Sequence, residues 1–565
     1  MAEISARPSL EQYRKQAKEL VRAVAARNSD ALDSIRRWHP RFRNATDDQI
    51  PAIALTDAQL VIARAHAWPS WPKFAAHLET LSTLRALENP STHADLADPE
   101  SLFLEFASVE RHGWHGSGGL QQGELIRSRY PRVATASIYA AAVLADETTV
   151  REFLARDPAL ATTPGGPYDW DALTYLCFSR YLRLDKSRSE AFTACGRLLL
   201  EAGANPNSGW TDSFDDPACP SFESVIYGAA GLAKNPGLTR LLLEFGADPN
   251  DGETCYHAPE TYDNTVVQIL IDSGRCNERS LAWLAARKAD WHDDPGLRLA
   301  LDGGANPNYM TQWKHTPFQH AIRRDNGLVM IEMFLDHGAD PYLLNADGRN
   351  AFQMAAYHGR GDILTALQQR SFVPNYDGPN PELDTLVAAC AQADRPRADA
   401  LIAANPQLLP QLLQIGGTLL ARFSGAANLP GVRTLLDFGV PADAPWPEGD
   451  PYYDTPRNST ALHYAAWRAW HDVVRELIAR GAPVNALDAR GRTPLQLAVK
   501  ACIDSYWQRR RQPDSVAALL AAGATTAGIK LPTGYDAIDT LLSEAKDPGD
   551  ASFTATDSGS PNQSS

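Results

Sequence analysis

The chain has 565 residues, 44% hydrophobic and 21% charged, with a formal net charge of −15, the composition of a core-forming protein rather than a disordered one. No run approaches the roughly 18 consecutive apolar residues of a membrane span, no secretory signal is read at the start, and the acidic balance argues against general nucleic-acid binding. Seven cysteines scattered from Cys177 to Cys502 without a C-x-x-C pair suit neither a disulfide framework nor a zinc site, and point to a reducing, cytoplasmic setting.

Residues 1–89 read as a small helical domain. A helix is predicted over 9–28, with Leu10, Tyr13, Ala17, Leu20 and Val21 on one face and Ser9 as cap. Further helices are predicted over 31–38, 56–67 and 71–81. The run Arg36-Arg37-Trp38-His39-Pro40-Arg41-Phe42-Arg43 is basic; it reads as a solvated helix end, with contact to an acidic partner or RNA as the alternative. Residues 90–133 form a linker or a degenerate helix pair. Gly116-Ser117-Gly118-Gly119 lacks the Lys and following helix of a phosphate cradle.

A repeat follows. Gly203-Ala204-Asn205-Pro206-Asn207, Gly246-Ala247-Asp248-Pro249-Asn250, Gly304-Ala305-Asn306-Pro307-Asn308 and Gly338-Ala339-Asp340-Pro341 each end a leucine-rich run, with weaker copies at Gly274, Gly439, Gly481 and Gly523. Between them recurs a second phrase, Thr316-Pro317-Phe318-Gln319-His320-Ala321, Thr460-Ala461-Leu462-His463-Tyr464-Ala465 and Thr493-Pro494-Leu495-Gln496-Leu497-Ala498. Thr caps a helix whose first position tolerates Pro, and glycine follows the end of the next. A period near 33 with insertions marks stacked helical repeats. Starts are read near Ala134, Trp170, Phe222, Glu253, Arg279, His315, Gly348, Glu382, Gln414, Ser459 and Arg492.

Together the phrases resemble the ankyrin repeat, most closely over Asn485 to Ala498. The stretch from Asp57 to Arg64, followed by Trp68 to Lys73, resembles a small helical module that precedes such arrays in bacterial proteins, and the scarcity of Lys beside Arg also suggests a bacterial source. The resemblance implies an all-α ankyrin solenoid of helix pairs with short β-hairpin fingers. Its array of about ten to eleven repeats spans 134–543, and a disordered tail is expected over 544–565.

No catalytic or nucleotide-binding signature was found, so no cofactor, no metal and no chemical step are expected. His112 and His115 have a metal-compatible spacing but sit beside glycines with no Cys nearby, and read as an exposed loop. The resemblance implies that His257, His320 and His463 tie neighbouring turns together. Glu253, Tyr256, His257 and Glu260 depart from the phrase; Glu260 lies one helical turn from His257, so the two can pair. Asp290, His292, Asp293 and Asp294 read as a solvated acidic turn, with cation binding as the alternative.

Binding signals are stronger. The fingers over 208–221 and 442–458 are enlarged and hold Trp210, Phe214, Asp215, Trp446, Tyr452 and Tyr453; Arg323, Tyr357, Trp467 and Trp470 end first helices, whose exposed face lines the groove in ankyrin repeats. Aromatics in polar loops are candidate interface anchors; the other reading is that they pack back on the array. Residues 201–300 hold 16 acidic and 7 basic side chains, hence −9, which favours a neutral or basic partner there. The expected function is a monomeric, non-catalytic scaffold that binds a protein through its concave face, without nucleic acid or membrane. Two alternatives remain: an enzyme or small-ligand binder with a pocket near Glu253–Glu260, and activity residing in the N-terminal domain.

Overall fold

The computed structural model describes residues 10–43, 45–66, 98–111, 115–212, 221–505 and 510–545, together with 70–72, 74, 75, 78 and 507. Most of the predicted helix over 71–81, finger residues 213–220, which include Phe214 and Asp215, and the tail from 546 lie outside them. Short helices follow one another from Leu10–Ala25 to Asp536–Glu544. Two antiparallel hairpins interrupt them, β1 (Gly209–Asp212) with β2 (Ser221–Ser224) and β3 (Pro445–Trp446) with β4 (Ser459–Thr460). This is the all-α array with short hairpin fingers expected from the sequence. Among the described residues no helix is long and apolar enough to cross a membrane.

A helix begins within about five residues of each predicted repeat start, from Ile138–Val143 to Pro494–Ile503. Local chemistry sets these starts. Thr316 and Thr493 accept bonds from the amides of Gln319 and Gln496, whose side chains return the bond to the cap residue, while Pro317 and Pro494 occupy the first helical position. The first helices are short and alanine-rich, with Ala140, Ala285, Ala355 and Ala465 fully buried, so neighbouring helices approach closely. The second helices supply the larger core side chains Leu199, Leu242, Leu270, Leu364, Leu435 and Leu477. The turn glycines Gly203, Gly246, Gly304, Gly338, Gly439, Gly481 and Gly523 have φ between 83° and 99°, the left-handed cap that excludes most side chains.

Four residues past Gly203, Gly246, Gly304 and Gly481, an asparagine clasps the following turn. Asn207 Nδ2 donates to Gly246 O and its Oδ1 accepts from Asp248 N at 2.7 Å. Asn250 makes the same pair with Arg275 O and Asn277 N, Asn308 with Gly338 O and Asp340 N, and Asn485 with Gly523 O and Thr525 N. Tyr342 holds the equivalent position, and its hydroxyl donates to Val373 O at 3.1 Å and accepts from Val373 N at 3.0 Å.

Cysteines distant in sequence are not all distant in the fold. Cys255 Sγ lies 3.7 Å from Cys276 Sγ, because adjacent repeats place their turns side by side. All described cysteines are free thiols.

The chain divides into two compact units, 1–12, 65–67 and 75–384 as one, 13–64, 68–74 and 385–565 as the other. In the second, the N-terminal helices share a core with the last repeats. Arg511, 4% exposed, donates to Asp57 Oδ1 at 2.8 Å and to the Thr56 hydroxyl, and lies over the Tyr535 ring at 3.8 Å. Asp57 also accepts from Ala54 N and lies 3.2 Å from His39 Nε2. The basic run is therefore not wholly a solvated helix end: His39 is 1% exposed and closes this buried network. Removing one partner of a buried ion pair strands the other, so Asp57→Ala should lower the unfolding free energy of this unit by about 3–5 kcal/mol. Urea denaturation of wild type, Asp57→Ala and the exposed-site control Asp30→Ala measures this; equal midpoints for all three would refute it.

Candidate functional site

The most concentrated polar chemistry lies on the first-helix side of the first unit, starting at hairpin β1–β2. Trp210 of β1 stacks on Trp170 at 4.3 Å and meets Phe178 edge-on at 4.1 Å. It is 6% exposed and therefore packs back on the array. Its cross-strand partner is Glu223. His115 faces both: its ring lies 5.5 Å from Trp210, its Nδ1 lies 3.4 Å from Tyr227 Oη and 3.6 Å from Glu223 Oε2, and its Nε2 lies 3.9 Å from Asp212 Oδ2. The fold thus brings the hairpin carboxylates Asp212 and Glu223 to His115. Tyr227 opens a π-helical turn, Tyr227–Leu232, a geometry frequent at functional sites. Burial, reinforced by Glu253 and Asp212, pushes the Glu223 carboxyl up to about 7, and burial lowers His115 despite Asp212 and Glu253.

The next repeat adds a second histidine between two carboxylates. His257 Nε2 lies 3.2 Å from Glu253 and Nδ1 3.1 Å from Glu260. Burial works to lower His257, but hydrogen bonds to these two carboxylates raise it. Burial works to raise Glu260, but His257, Lys234 and Arg287 take it down to about 2. With both ring nitrogens engaged by carboxylates, neither is open to a substrate proton. Arg287 lies over the Tyr256 ring at 4.4 Å and bridges Glu260 to Asp290, which pairs in turn with His320 and Arg324, each at 2.8 Å.

Two sequence expectations are corrected here. The segment 290–294 is not a solvated turn: Asp290 is the hub of that network, and Asp293 is fully buried against Lys288 at 3.0 Å, because cations of its own and adjacent repeats neutralise both. His320 is one position beyond the turn-tying residue. Gln319 does that work by donating to Leu343 O at 2.7 Å, as His463 does towards Ala486 O and Arg492 O. His257 likewise turns to its two glutamates instead of the neighbouring finger.

Of the aromatic residues singled out in the second unit, most are internal. Trp446 packs against Tyr464, Trp467 Nε1 donates to Tyr453 O at 2.6 Å, and Trp470 Nε1 donates to Gly425 O beneath Arg510. Arg468, 1% exposed, is sandwiched by Tyr453 and Trp507. Tyr452 alone of this finger's aromatics is exposed, at 43%. In the first unit Tyr357 is buried and donates to Asp384 at 2.8 Å, while Arg323 is exposed and its Nη1 lies 2.7 Å from His315 Nε2. A large flat ring buries more area against its own helices than it keeps in a polar loop, which is why these fingers fold inward.

Residues not singled out in the sequence occupy exposed positions on the fingers, each just before the residue that closes the finger's turn. Met310, Leu344 and Leu487 are 42%, 55% and 64% exposed. Each stands six residues after its turn glycine (Gly304, Gly338, Gly481). That register was present in the sequence as an apolar side chain in an otherwise polar finger.

Truncating Trp467 should open a cavity costing about 3–5 kcal/mol, so Trp467→Ala should shift the urea midpoint clearly, whereas Tyr452→Ala should leave it nearly unchanged. The Glu260 carboxyl is depressed in the folded state, so its stabilisation is present above pH about 4.5 and fades as pH falls towards 2. The stability gap between wild type and Glu260→Gln should therefore narrow from pH 6 to pH 3.5; a gap independent of pH would count against the assignment.

Comparison with known proteins places these repeats. Family models of ankyrin repeats match residues 327–368 and 398–526. An ankyrin repeat protein of Acanthamoeba polyphaga mimivirus is 36% identical over 59 residues, 10% of this chain and 36% of the relative, so the chain spans about a third of that protein's length. The ankyrin repeat domain of Bcl-3, described as a unique member of the IkappaB protein family, aligns over 42% of this chain and 97% of its own at 21% identity, with a TM-score of 0.18. The segments 327–368 and 398–526 are ankyrin repeats, set within an all-α array of helix pairs.

Proposed function

We propose that the chain is a non-catalytic scaffold that binds a protein partner across its fingers and first-helix face. The observation that carries this reading is the shared finger position at which Met310 and Leu344, on consecutive fingers, and Leu487 expose large apolar side chains. Isolated exposed apolar residues need no explanation, but one register repeated on successive fingers makes a row. Ankyrin repeats serve protein–protein interaction generally, and the recognised segments include the fingers of Leu344 and Leu487. Tyr452 and Arg323 are the residues from the sequence reading that remain exposed enough to join such a surface. The His257 cluster supports a charge-pairing role better than a catalytic one, since both ring nitrogens are engaged.

The test is capture from native-cell lysate by wild type and by a Met310→Glu/Leu344→Glu variant. At exposed positions both substitutions should change stability by no more than about 0.5 kcal/mol each, checked by thermal melting. Loss of the captured protein with the folded variant is the expected outcome. Undiminished capture would move the interface elsewhere.

A further inference from the structure

We propose that Cys255 and Cys276 are a thiol pair that hydrogen peroxide converts to a disulfide, locking the joint that Asn250 clasps. Their sulfurs lie 3.7 Å apart, in contact, although 21 positions separate them in the chain. Each is held in a defined place. Cys255 sits on the helix Thr254–His257 and is 3% exposed, and its Sγ donates to Pro249 O at 3.6 Å. Cys276 lies half-buried in the turn after Gly274, with its Sγ 3.4 Å from Leu270 O. The Asn250 side chain grips the residues on either side of Cys276, donating to Arg275 O at 2.9 Å and accepting from Asn277 N at 2.8 Å. The Ser280 hydroxyl donates to the same Asn250 oxygen at 2.7 Å. The clasp thus sets the backbone of Cys276, and with it the approach of the two sulfurs.

The two thiols take different parts in the reaction. Contact with Cys276 and burial push the Cys255 thiol up, so it stays protonated. Cys276 is the sulfur that solvent reaches. Its thiolate attacks hydrogen peroxide: the O–O bond breaks, an S–O bond forms, and a sulfenic acid and one water result. The Cys255 sulfur then displaces the hydroxyl group. An S–S bond forms, the S–O bond breaks, and the Cys255 proton leaves with the hydroxyl as a second water. Two thiols are oxidised by two electrons, and one peroxide is reduced to two waters. The sulfurs close by about 1.7 Å, from 3.7 Å to the roughly 2.05 Å of a disulfide. The bridge runs beside the Asn250 hydrogen bonds, so a covalent link reinforces them. A thiol reductant breaks it again by exchange. The joint is therefore stiffened by peroxide and relaxed by reduction.

The test treats full-length protein with hydrogen peroxide, removes the peroxide, blocks free thiols with iodoacetamide and digests with trypsin. Cleavage after Arg240, Arg275 and Arg279 puts the two cysteines on separate peptides, 241–275 and 276–279. The expected result is a disulfide-linked pair of these peptides, lost with dithiothreitol and absent from Cys276→Ser. The second readout is the rate at which trypsin cuts the native protein after Arg275, in the exposed turn, followed after reduction of the products. Peroxide should slow this cut about tenfold or more in wild type. It should leave the rate unchanged in Cys276→Ser and Cys255→Ala, two variants that guard against one that fails to fold. Peptide 276–279 recovered with a free thiol, as a sulfinic acid or joined to any other peptide overturns the pair. The expected link with an unchanged cleavage rate overturns the locking. The link is independent of the partner-binding surface, so the Met310→Glu/Leu344→Glu variant should form it equally.

Discussion

The structure depends on the clasp between consecutive turns. A helix pair of this length cannot bury its apolar face alone, and alanine-lined first helices gain little area each. What fixes the stacking is an asparagine amide that donates to one backbone carbonyl and accepts from one amide in the next turn, seen at Asn207, Asn250, Asn308 and Asn485. With consecutive turns held side by side, equivalent finger positions recur from one repeat to the next within each unit. The exposed apolar finger position and the charged network both follow from that register.

The charged strip shows how adjacent repeats make buried charge tolerable. Asp290 has His320 and two arginines around it, Asp293 has Lys288, and Glu260 has His257 and Arg287. Asp290 and Glu260 each meet partners from their own repeat and from the next, whereas Asp293 meets Lys288 of its own. At the first hairpin the group facing Glu223 is His115, which burial holds towards its neutral form.

Much of the architecture was legible because its determinants are local. Thr-Pro caps, turn glycines and alanine-rich first helices are properties of five or six consecutive residues. The His257–Glu260 pair could be read from its one-turn spacing. What could not be read were contacts set by stacking: Arg511 with Asp57, 454 positions apart, the hub at Asp290, the approach of Cys255 to Cys276, and the inward packing of Trp446 and Trp467. A polar loop with aromatics looks the same in sequence whether its rings face water or its own helices. His320 shows a subtler limit, since a shift of one position within the phrase moved it from the finger to a carboxylate behind it.

The clasp is not uniform along the chain. Where Tyr342 replaces asparagine, a single hydroxyl serves both neighbours, and the capping residue of the following turn is Ser371 with φ of 67° instead of glycine. A serine held in that conformation stores about 1 kcal/mol or more of strain. In a linear stack stability is a chain of nearest-neighbour couplings, as in a one-dimensional lattice, so the weakest link governs cooperativity. The Tyr342–Val373 rung is one such coupling, made by a phenol in place of an amide. A change at Tyr342 is therefore felt first at the joint between its own repeat and the next.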